Sequence, residues 1–206
     1  VDSRRRSGGA YQELLYIIKN FEKYQHKFKF SIIFSNKNLD IKTENFKFNI
    51  YYLEMNVFER FICFTRNYNK FFRKLKKFLF FSNKFEKLIK REKIDLIYFT
   101  GPSQYSLFLE DTKFIITVPD VSHRENLEFP EMNNNSEFER REEILLKALP
   151  KAISIVTNGK IIKERICFFY KILHERVLVV NHQPSQAVED FKEENKKNSD
   201  TIKKKI

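Results

Sequence analysis

The chain has 206 residues, of which 42% are hydrophobic, and its formal net charge is +12 at pH 7. This length accommodates one sizeable hydrophobic core. No apolar run approaches the roughly 20 residues of a membrane-spanning helix, and the basic stretch Ser3–Ser7 lacks the apolar segment of a signal peptide. The chain begins at Val1 rather than Met, so we expect a fragment whose first strand is truncated.

The two cysteines and the excess of positive charge narrow the class of protein further. Cys63 and Cys167 lie among apolar residues, which indicates buried thiols in a reducing cytoplasm. There is no Cys-x-x-Cys pair, so a structural zinc site is not expected. The positive charge is compatible with nucleic acid or an anionic membrane, but AT-rich coding also produces lysine-rich and asparagine-rich chains. Since no recognised nucleic-acid motif is present, we predict no nucleic-acid partner.

Hydrophobic periodicity predicts strands that alternate with helices. In chain order the predicted elements are a helix at Tyr11–Phe21, strands at Lys27–Ser35 and Phe48–Leu53, a mostly helical stretch at Val57–Arg91 broken near Ser82-Asn83, strands at Ile94–Phe99 and Phe114–Val118, a helix at Glu137–Leu149, a strand at Ala152–Val156, a helix at Lys160–Lys171 and a strand at Val177–Val180. Such alternation is typical of βα units, and predicts an α/β fold of the Rossmann-like three-layer α/β/α kind with a mainly parallel sheet. We expect one domain over residues 1–185, followed by a poorly ordered charged tail over residues 186–206.

Two loops that follow predicted strands contain glycine. Gly8 and Gly9 precede the first helix, where backbone N–H groups at a helix N-terminus favour a phosphate, although a tight turn is the alternative. Gly101 follows the strand that ends at Phe99, and Ser103 is suited to cap the next helix or to line a binding pocket. Since the carboxyl ends of parallel strands share one edge of a sheet, we predict Gly8, Gly101 and His123 at that edge.

The stretch Thr117–Glu131, TVPDVSHRENLEFPE, is the most informative in the chain. A β-branched strand ends at Pro119-Asp120, and a loop with a histidine and an arginine follows. A histidine in such a loop can exchange protons near neutral pH, and Asp120 can orient its ring or accept a hydroxyl proton. We therefore predict His123 and Asp120 as catalytic residues and Arg124 as a phosphate-binding or acceptor-binding residue. An ordinary surface histidine is the alternative.

The same stretch resembles the acceptor-side loop of GT-B glycosyltransferases of the glycosyltransferase family 4 type. These enzymes have a strand, then Asp-x-x-His-Arg or a near variant, then a Phe-Pro-Glu turn. The matching residues are Asp120, His123, Arg124, Phe129, Pro130 and Glu131. Many relatives have a histidine directly before the aspartate, where this chain has Pro119, and His123 is the substitute that we assign. The resemblance extends over residues 1–185.

The resemblance implies a retaining hexosyltransferase that uses a nucleotide-sugar donor as substrate, with no cofactor and no catalytic metal. It implies a sugar or lipid-linked acceptor and a role in cell-surface polysaccharide or glycoconjugate synthesis. The implied location is cytoplasmic, including the inner face of the membrane. In the family, a second Rossmann domain carries paired glutamates that are absent here, so we expect the chain to be inactive alone.

The segment Phe71–Lys93 supports an alternative function. It contains nine Lys or Arg residues against two Glu residues, a net charge of +7, and its apolar residues fall on a helical stripe. A basic amphipathic helix of this kind can lie on an anionic membrane, which would make the chain a membrane or nucleic-acid binding module without catalysis. The competing interpretation is a crossover helix that packs its stripe on the sheet.

Overall fold

The computed structural model describes residues 9–35, 48–57, 59, 83–128, 130 and 136–181. The described residues up to Tyr52 belong to one compact unit, and those from Leu53 to Asn181 belong to a second. All described strand pairings are parallel, which confirms an α/β fold with parallel sheets. The strands form two sheets, and the predicted three-layer arrangement and single domain stay predictions. Gly8, Phe129, Glu131 and the tail lie outside the described residues.

The first unit contains helix α1 (Gly9–Glu22) and the parallel strands β1 (Ser31–Phe34) and β2 (Asn49–Tyr52). The helical spacing of Leu14 and Ile18 places both on one buried face. They form a core with Ile32 and Phe34 of β1 and with Phe48. Gly9 is the first described residue of α1, and the predicted phosphate-binding role of Gly8 and Gly9 stays a prediction.

The second unit contains a four-stranded sheet in the order β3-β4-β5-β6. Its strands and helices are β3 (Leu96–Phe99), β4 (Lys113–Thr117), β5 (Ser154–Thr157), β6 (Val177–Val179), α2 (Lys84–Arg91), α3 (Ser122–Glu125), α4 (Glu137–Ala148) and α5 (Lys160–Tyr170). Phe114 and Ile116 of β4 are buried, as expected for a strand with neighbours on both sides. Short 3₁₀ helices at Gln104–Phe108 and His174–Arg176 join these elements.

Two polar side chains hold helix ends in this unit. The Asn83 side-chain oxygen accepts a hydrogen bond from the Glu86 N–H at 2.8 Å, which caps α2 at the predicted break, and its Nδ2 donates to the Phe108 carbonyl at 2.9 Å. Arg176 donates from Nη2 to the Leu149 carbonyl at 3.1 Å and also to the Ala152 carbonyl. The guanidinium therefore satisfies carbonyl groups at the C-cap of α4 and in the turn that leads to β5.

The described part of the basic segment buries its apolar stripe. In α2, Phe85 is 3% exposed and Leu88 and Ile89 are also buried, whereas Lys84 and Lys87 face solvent. This agrees with a packed helix, and residues 71–82 lie outside the described part. No helix in the described ranges combines the length and the apolar character needed to cross a bilayer.

Candidate functional site

The site lies where β3, β4 and β5 end. Phe99 is paired with Ile116, and Thr117 with Val156, so the three parallel strands end at a common level. The segments that follow, residues 100–103, 118–121 and 158–159, therefore share one edge of the four-stranded sheet, which we call the carboxyl edge. The structure confirms this edge for Gly101 and for the strand that leads to His123.

The two polar residues predicted after β3 and β4 have local structural partners. The Ser103 hydroxyl accepts a hydrogen bond from the Tyr105 N–H at 3.3 Å, which confirms its capping role. Asp120 accepts from the Ser122 N–H at 2.9 Å and from Arg141 Nη1 at 3.4 Å. A Cβ atom at Gly101 would meet no atom within 4 Å, so packing does not require glycine there. The ligand-binding roles of these residues stay predictions.

His123 is not the exposed loop residue that the sequence predicts. It lies in α3 and is only 1% exposed, because side chains of α4 and α5 pack against it. Its ring packs 5.7 Å from the ring of Phe138 of α4, measured between centroids. Asp120 does not orient the ring; that carboxylate turns towards Ser122 and Arg141. Of the two roles predicted for Asp120, orientation of the His123 ring is therefore wrong, and acceptance of a hydroxyl proton stays a prediction.

The partner of His123 is Glu142 of α4. His123 Nε2 lies 3.1 Å from Glu142 Oε2 and 3.1 Å from the hydroxyl of Tyr170, at the end of α5. The Tyr170 hydroxyl donates to Glu142 Oε2 at 3.1 Å. The three polar atoms form a triangle that joins α3, α4 and α5, and we call these residues with Arg124 the histidine cluster.

Arg124 completes the histidine cluster through an ion pair with Glu142, and its predicted ligand-binding role stays a prediction. Its Nε donates to Glu142 Oε2 at 2.9 Å and its Nη2 donates to Glu142 Oε1. The guanidinium lies 5.1 Å from the ring centroid of Phe169 and 5.2 Å from that of Tyr170. The two hydrogen bonds and the contacts with the aromatic rings together fix the orientation of the Arg124 guanidinium and of the Glu142 carboxylate.

The electrostatics of the histidine cluster follow from burial and from the ion pair. Burial has the largest influence on the pKa of His123 and lowers it; Glu142 opposes this effect, Arg141 and Arg124 reinforce it, and the net pKa is below the ordinary value. Burial raises the pKa of Glu142, but the hydrogen bonds from Arg124, His123 and Tyr170 outweigh burial and leave its pKa lowered. Burial, then the charge of Glu142, raises the pKa of Tyr170. At neutral pH the cluster therefore contains a carboxylate, a neutral imidazole and a protonated phenol.

The second ring nitrogen of His123, Nδ1, has different surroundings. Nδ1 is buried and has no hydrogen-bond partner among the described residues. Neutral imidazole held by a carboxylate at one nitrogen is the arrangement in which the other nitrogen can act as a base or as a hydrogen-bond acceptor. The chemistry that the histidine cluster supports is therefore acceptance of a proton or of a hydrogen bond at Nδ1.

Sequence reasoning missed Glu142 and Tyr170. A usable signal was present, because Glu142 lies one helical turn from Phe138 and three residues before the buried Leu145, on the inward face of α4. Tyr170 similarly follows the buried Ile166 by one turn of α5. A carboxylate on an apolar helical face needs a buried partner.

Pro130 of the predicted Phe-Pro-Glu turn is described and exposed.

Comparison with known protein families, with curated proteins and with solved structures finds no match to this chain.

Proposed function

We propose that this chain is the N-terminal, acceptor-side domain of a GT-B glycosyltransferase, and that it binds the acceptor hydroxyl that receives a hexose from a nucleotide sugar. In this proposal the domain has the three-layer Rossmann-like arrangement and acts in the cytoplasm, at or near the inner membrane face. The acceptor is a sugar or a lipid-linked sugar of polysaccharide or glycoconjugate synthesis. A second domain supplies most contacts to the donor.

The observation that carries the proposal is the position of a carboxylate-held histidine directly after the carboxyl edge. Parallel α/β sheets bind ligands outside the carboxyl ends of their strands, and His123 follows β4 at that edge. Glycosyl transfer requires a group that positions the acceptor hydroxyl, and a neutral imidazole fixed by Glu142 is suited to this task. Asp120, with 41% of its side chain exposed, is accessible to a ligand at the same edge.

The alternative of a basic binding module receives less support. It depends on a segment with an exposed apolar stripe, and in the described half of that segment the stripe is buried. A packed helix leaves its lysines in water, where they serve solubility as well as binding.

Ligand binding by the chain itself tests the proposal without requiring turnover. Saturation-transfer NMR would be recorded with a panel of common mono- and disaccharides and with uridine and guanosine diphosphate sugars. We expect at least one saccharide to receive saturation, because the acceptor side would be present in this chain. We expect Asp120→Asn, which keeps the size of the side chain, to reduce that signal.

His174→Ala provides the control, since His174 is exposed and lies on a 3₁₀ helix away from the carboxyl edge. It should bind the same saccharide as the unchanged chain. Absence of binding to every saccharide and every nucleotide sugar, in a chain with an intact circular-dichroism spectrum, would refute the proposed function.

A further inference from the structure

The two ring nitrogens of His123 have opposite surroundings, and this asymmetry determines which of them carries the proton. Nε2 has two polar neighbours, Glu142 Oε2 and the Tyr170 hydroxyl, each at 3.1 Å. Nδ1 has none among the described residues and is buried. A neutral imidazole has one N–H donor and one lone-pair acceptor, so only two arrangements exist.

In the first arrangement the proton is on Nε2. The Nε2–H then donates to the Glu142 carboxylate, which only accepts, and the Tyr170 hydroxyl donates to the same oxygen at 3.1 Å. Every proton of the triangle has an acceptor, and the single unsatisfied group is the Nδ1 lone pair.

In the second arrangement the proton is on Nδ1. The Nε2 lone pair then faces the carboxylate lone pairs at 3.1 Å, and the single Tyr170 proton can satisfy only one of them. The Nδ1–H would also be a buried donor without an acceptor among the described residues. Orphaned buried N–H groups are rarer in proteins than under-used acceptors, so the first arrangement is strongly favoured.

Arg124 keeps Glu142 in the state that this arrangement needs. It donates to both carboxylate oxygens, from Nε at 2.9 Å and from Nη2. The carboxylate is thereby held ionised and rotationally fixed, so that Oε2 is directed to both Nε2 and the Tyr170 hydroxyl. Arg141 and Arg124 also carry charges that disfavour a second proton on the ring.

We propose that Glu142 is a positioning residue that fixes His123 in its Nε2-protonated form and thereby presents Nδ1 as the hydrogen-bond acceptor for the hydroxyl group of a bound saccharide. The identity of the incoming group rests on the proposed function, whereas the tautomer and the role of Glu142 do not. Because Nδ1 is buried, a ligand hydroxyl reaches it only when the side chains that cover it move aside. The group that fits a neutral imidazole lone pair is a neutral donor, such as an alcohol, rather than an anion.

The tautomer can be measured directly on the full chain. With ¹⁵N-labelled histidine, two-bond proton–nitrogen correlation spectra distinguish a protonated from an unprotonated ring nitrogen at each of the four histidines. The His123 signals are identified by their loss in His123→Gln. We expect His123 Nε2 to be protonated in at least about tenfold excess over Nδ1 at pH 7.5. A predominantly Nδ1-protonated ring would overturn the proposal.

Two variants separate the role of Glu142 from that of Tyr170. Tyr170→Phe removes only the hydroxyl, and we expect the Nε2-protonated form to persist because the carboxylate remains. Glu142→Gln can donate to Nε2, and we expect the excess of that form to fall by about tenfold. Glu143→Gln, at the next position of α4 and outside the histidine cluster, alters a pair with Lys147 on the same helix; it is the matched control and should leave the spectrum unchanged. A reversed tautomer in Tyr170→Phe, or an unchanged one in Glu142→Gln, would overturn the assignment to Glu142.

The ligand-facing role is tested by titrating the unchanged chain with the saccharide that binds best in the saturation-transfer panel. We expect the His123 Nδ1 resonance to shift more than any other histidine nitrogen. Binding without a change at Nδ1 would overturn the presentation of Nδ1 while leaving the proposed function standing. If no saccharide binds, the proposed function and the ligand-facing role both fail, and the tautomer spectra still decide the role of Glu142.

Discussion

Replacing Glu142 with alanine is the most direct perturbation of the histidine cluster. The change removes the acceptor of hydrogen bonds from Arg124, His123 and Tyr170. Two of these donors, the His123 Nε2–H and the Tyr170 hydroxyl, are buried and would be left without a carboxylate. Each unsatisfied buried donor costs about 1–3 kcal/mol.

The arginine contributes less to this cost. The Arg124 side chain is 29% exposed, so it can recover part of its hydration when Glu142 is absent. Removing one partner of a fully buried ion pair costs about 3–5 kcal/mol, and partial exposure places this case near the lower end. We therefore expect Glu142→Ala to lower the free energy of unfolding by about 3 kcal/mol.

Urea unfolding followed by circular dichroism at 222 nm is the appropriate assay, because the chain has no tryptophan to report by fluorescence. Glu143→Ala is the matched control on the next position of α4. It breaks an i,i+4 pair with Lys147, and helical pairs of this spacing contribute about 0.5 kcal/mol or less. If Glu142→Ala and Glu143→Ala unfold at the same urea concentration, the cluster does not hold α3, α4 and α5 together and the reasoning is refuted.

Three further predictions concern pH and two helix ends. Because the folded state lowers the pKa of His123, the unfolded chain binds the extra proton first, so stability should fall as pH drops below about 6.5, by up to about 1.4 kcal/mol per pH unit. Urea titrations at pH 7.5, 6.5 and 5.5 measure this slope, and His123→Gln should flatten it; equal slopes would contradict the assignment. Asn83→Ala should lower the free energy of unfolding by about 1–2 kcal/mol through loss of the α2 cap, whereas Lys87→Ala in the same helix should change it little. Arg176→Ala should lower the free energy of unfolding by about 1–3 kcal/mol, because carbonyls between the C-cap of α4 and the start of β5 lose their donor. If Asn83→Ala or Arg176→Ala leaves the unfolding midpoint unchanged, the hydrogen bonds of that residue do not stabilise the fold.

Much of the second unit is predictable from the sequence because its elements have clear hydrophobic patterns. The run around Phe114 and Ile116 predicts a buried strand, and β4 occupies Lys113–Thr117. The predicted helix at Lys160–Lys171 corresponds to α5 within one residue. Parallel pairing also follows from the alternation of strands and helices, since a parallel connection requires a crossover.

The partner of His123 could not be chosen from the sequence. Asp120 is three positions away and Glu142 is nineteen, so local proximity favoured the wrong carboxylate. Glu142 lies within the run Glu137–Glu143, in which four of seven residues are acidic. Its spacing from Phe138 and Leu145 indicates the inward face of α4, but spacing within one helix does not identify the residue of another helix that it meets. The choice depends on the rotation of α4 against α3, which is a tertiary property.

The burial of His123 changes how its function has to be tested. The sequence predicts an exposed loop side chain, whose removal lowers the free energy of unfolding by less than about 0.5 kcal/mol. Loss of turnover in His123→Ala would then by itself indicate a functional residue, because the fold would be unaffected. The ring is instead 1% exposed and hydrogen-bonded to two neighbours. Its removal leaves a cavity together with unpaired polar groups, so the same variant is expected to lose both stability and any activity.

Substitutions that keep the buried volume are therefore the informative ones. Tyr170→Phe and Glu142→Gln change the proton arrangement around His123 while retaining side chains of similar size. If His123 is only a structural residue, its tautomer has no consequence for ligand binding, and both variants bind saccharide in proportion to their folded fraction. If Nδ1 receives the acceptor hydroxyl, Glu142→Gln weakens binding even where the protein is fully folded, and Tyr170→Phe does not. The difference between these two folded variants separates a histidine that supports the core from one that also receives a ligand.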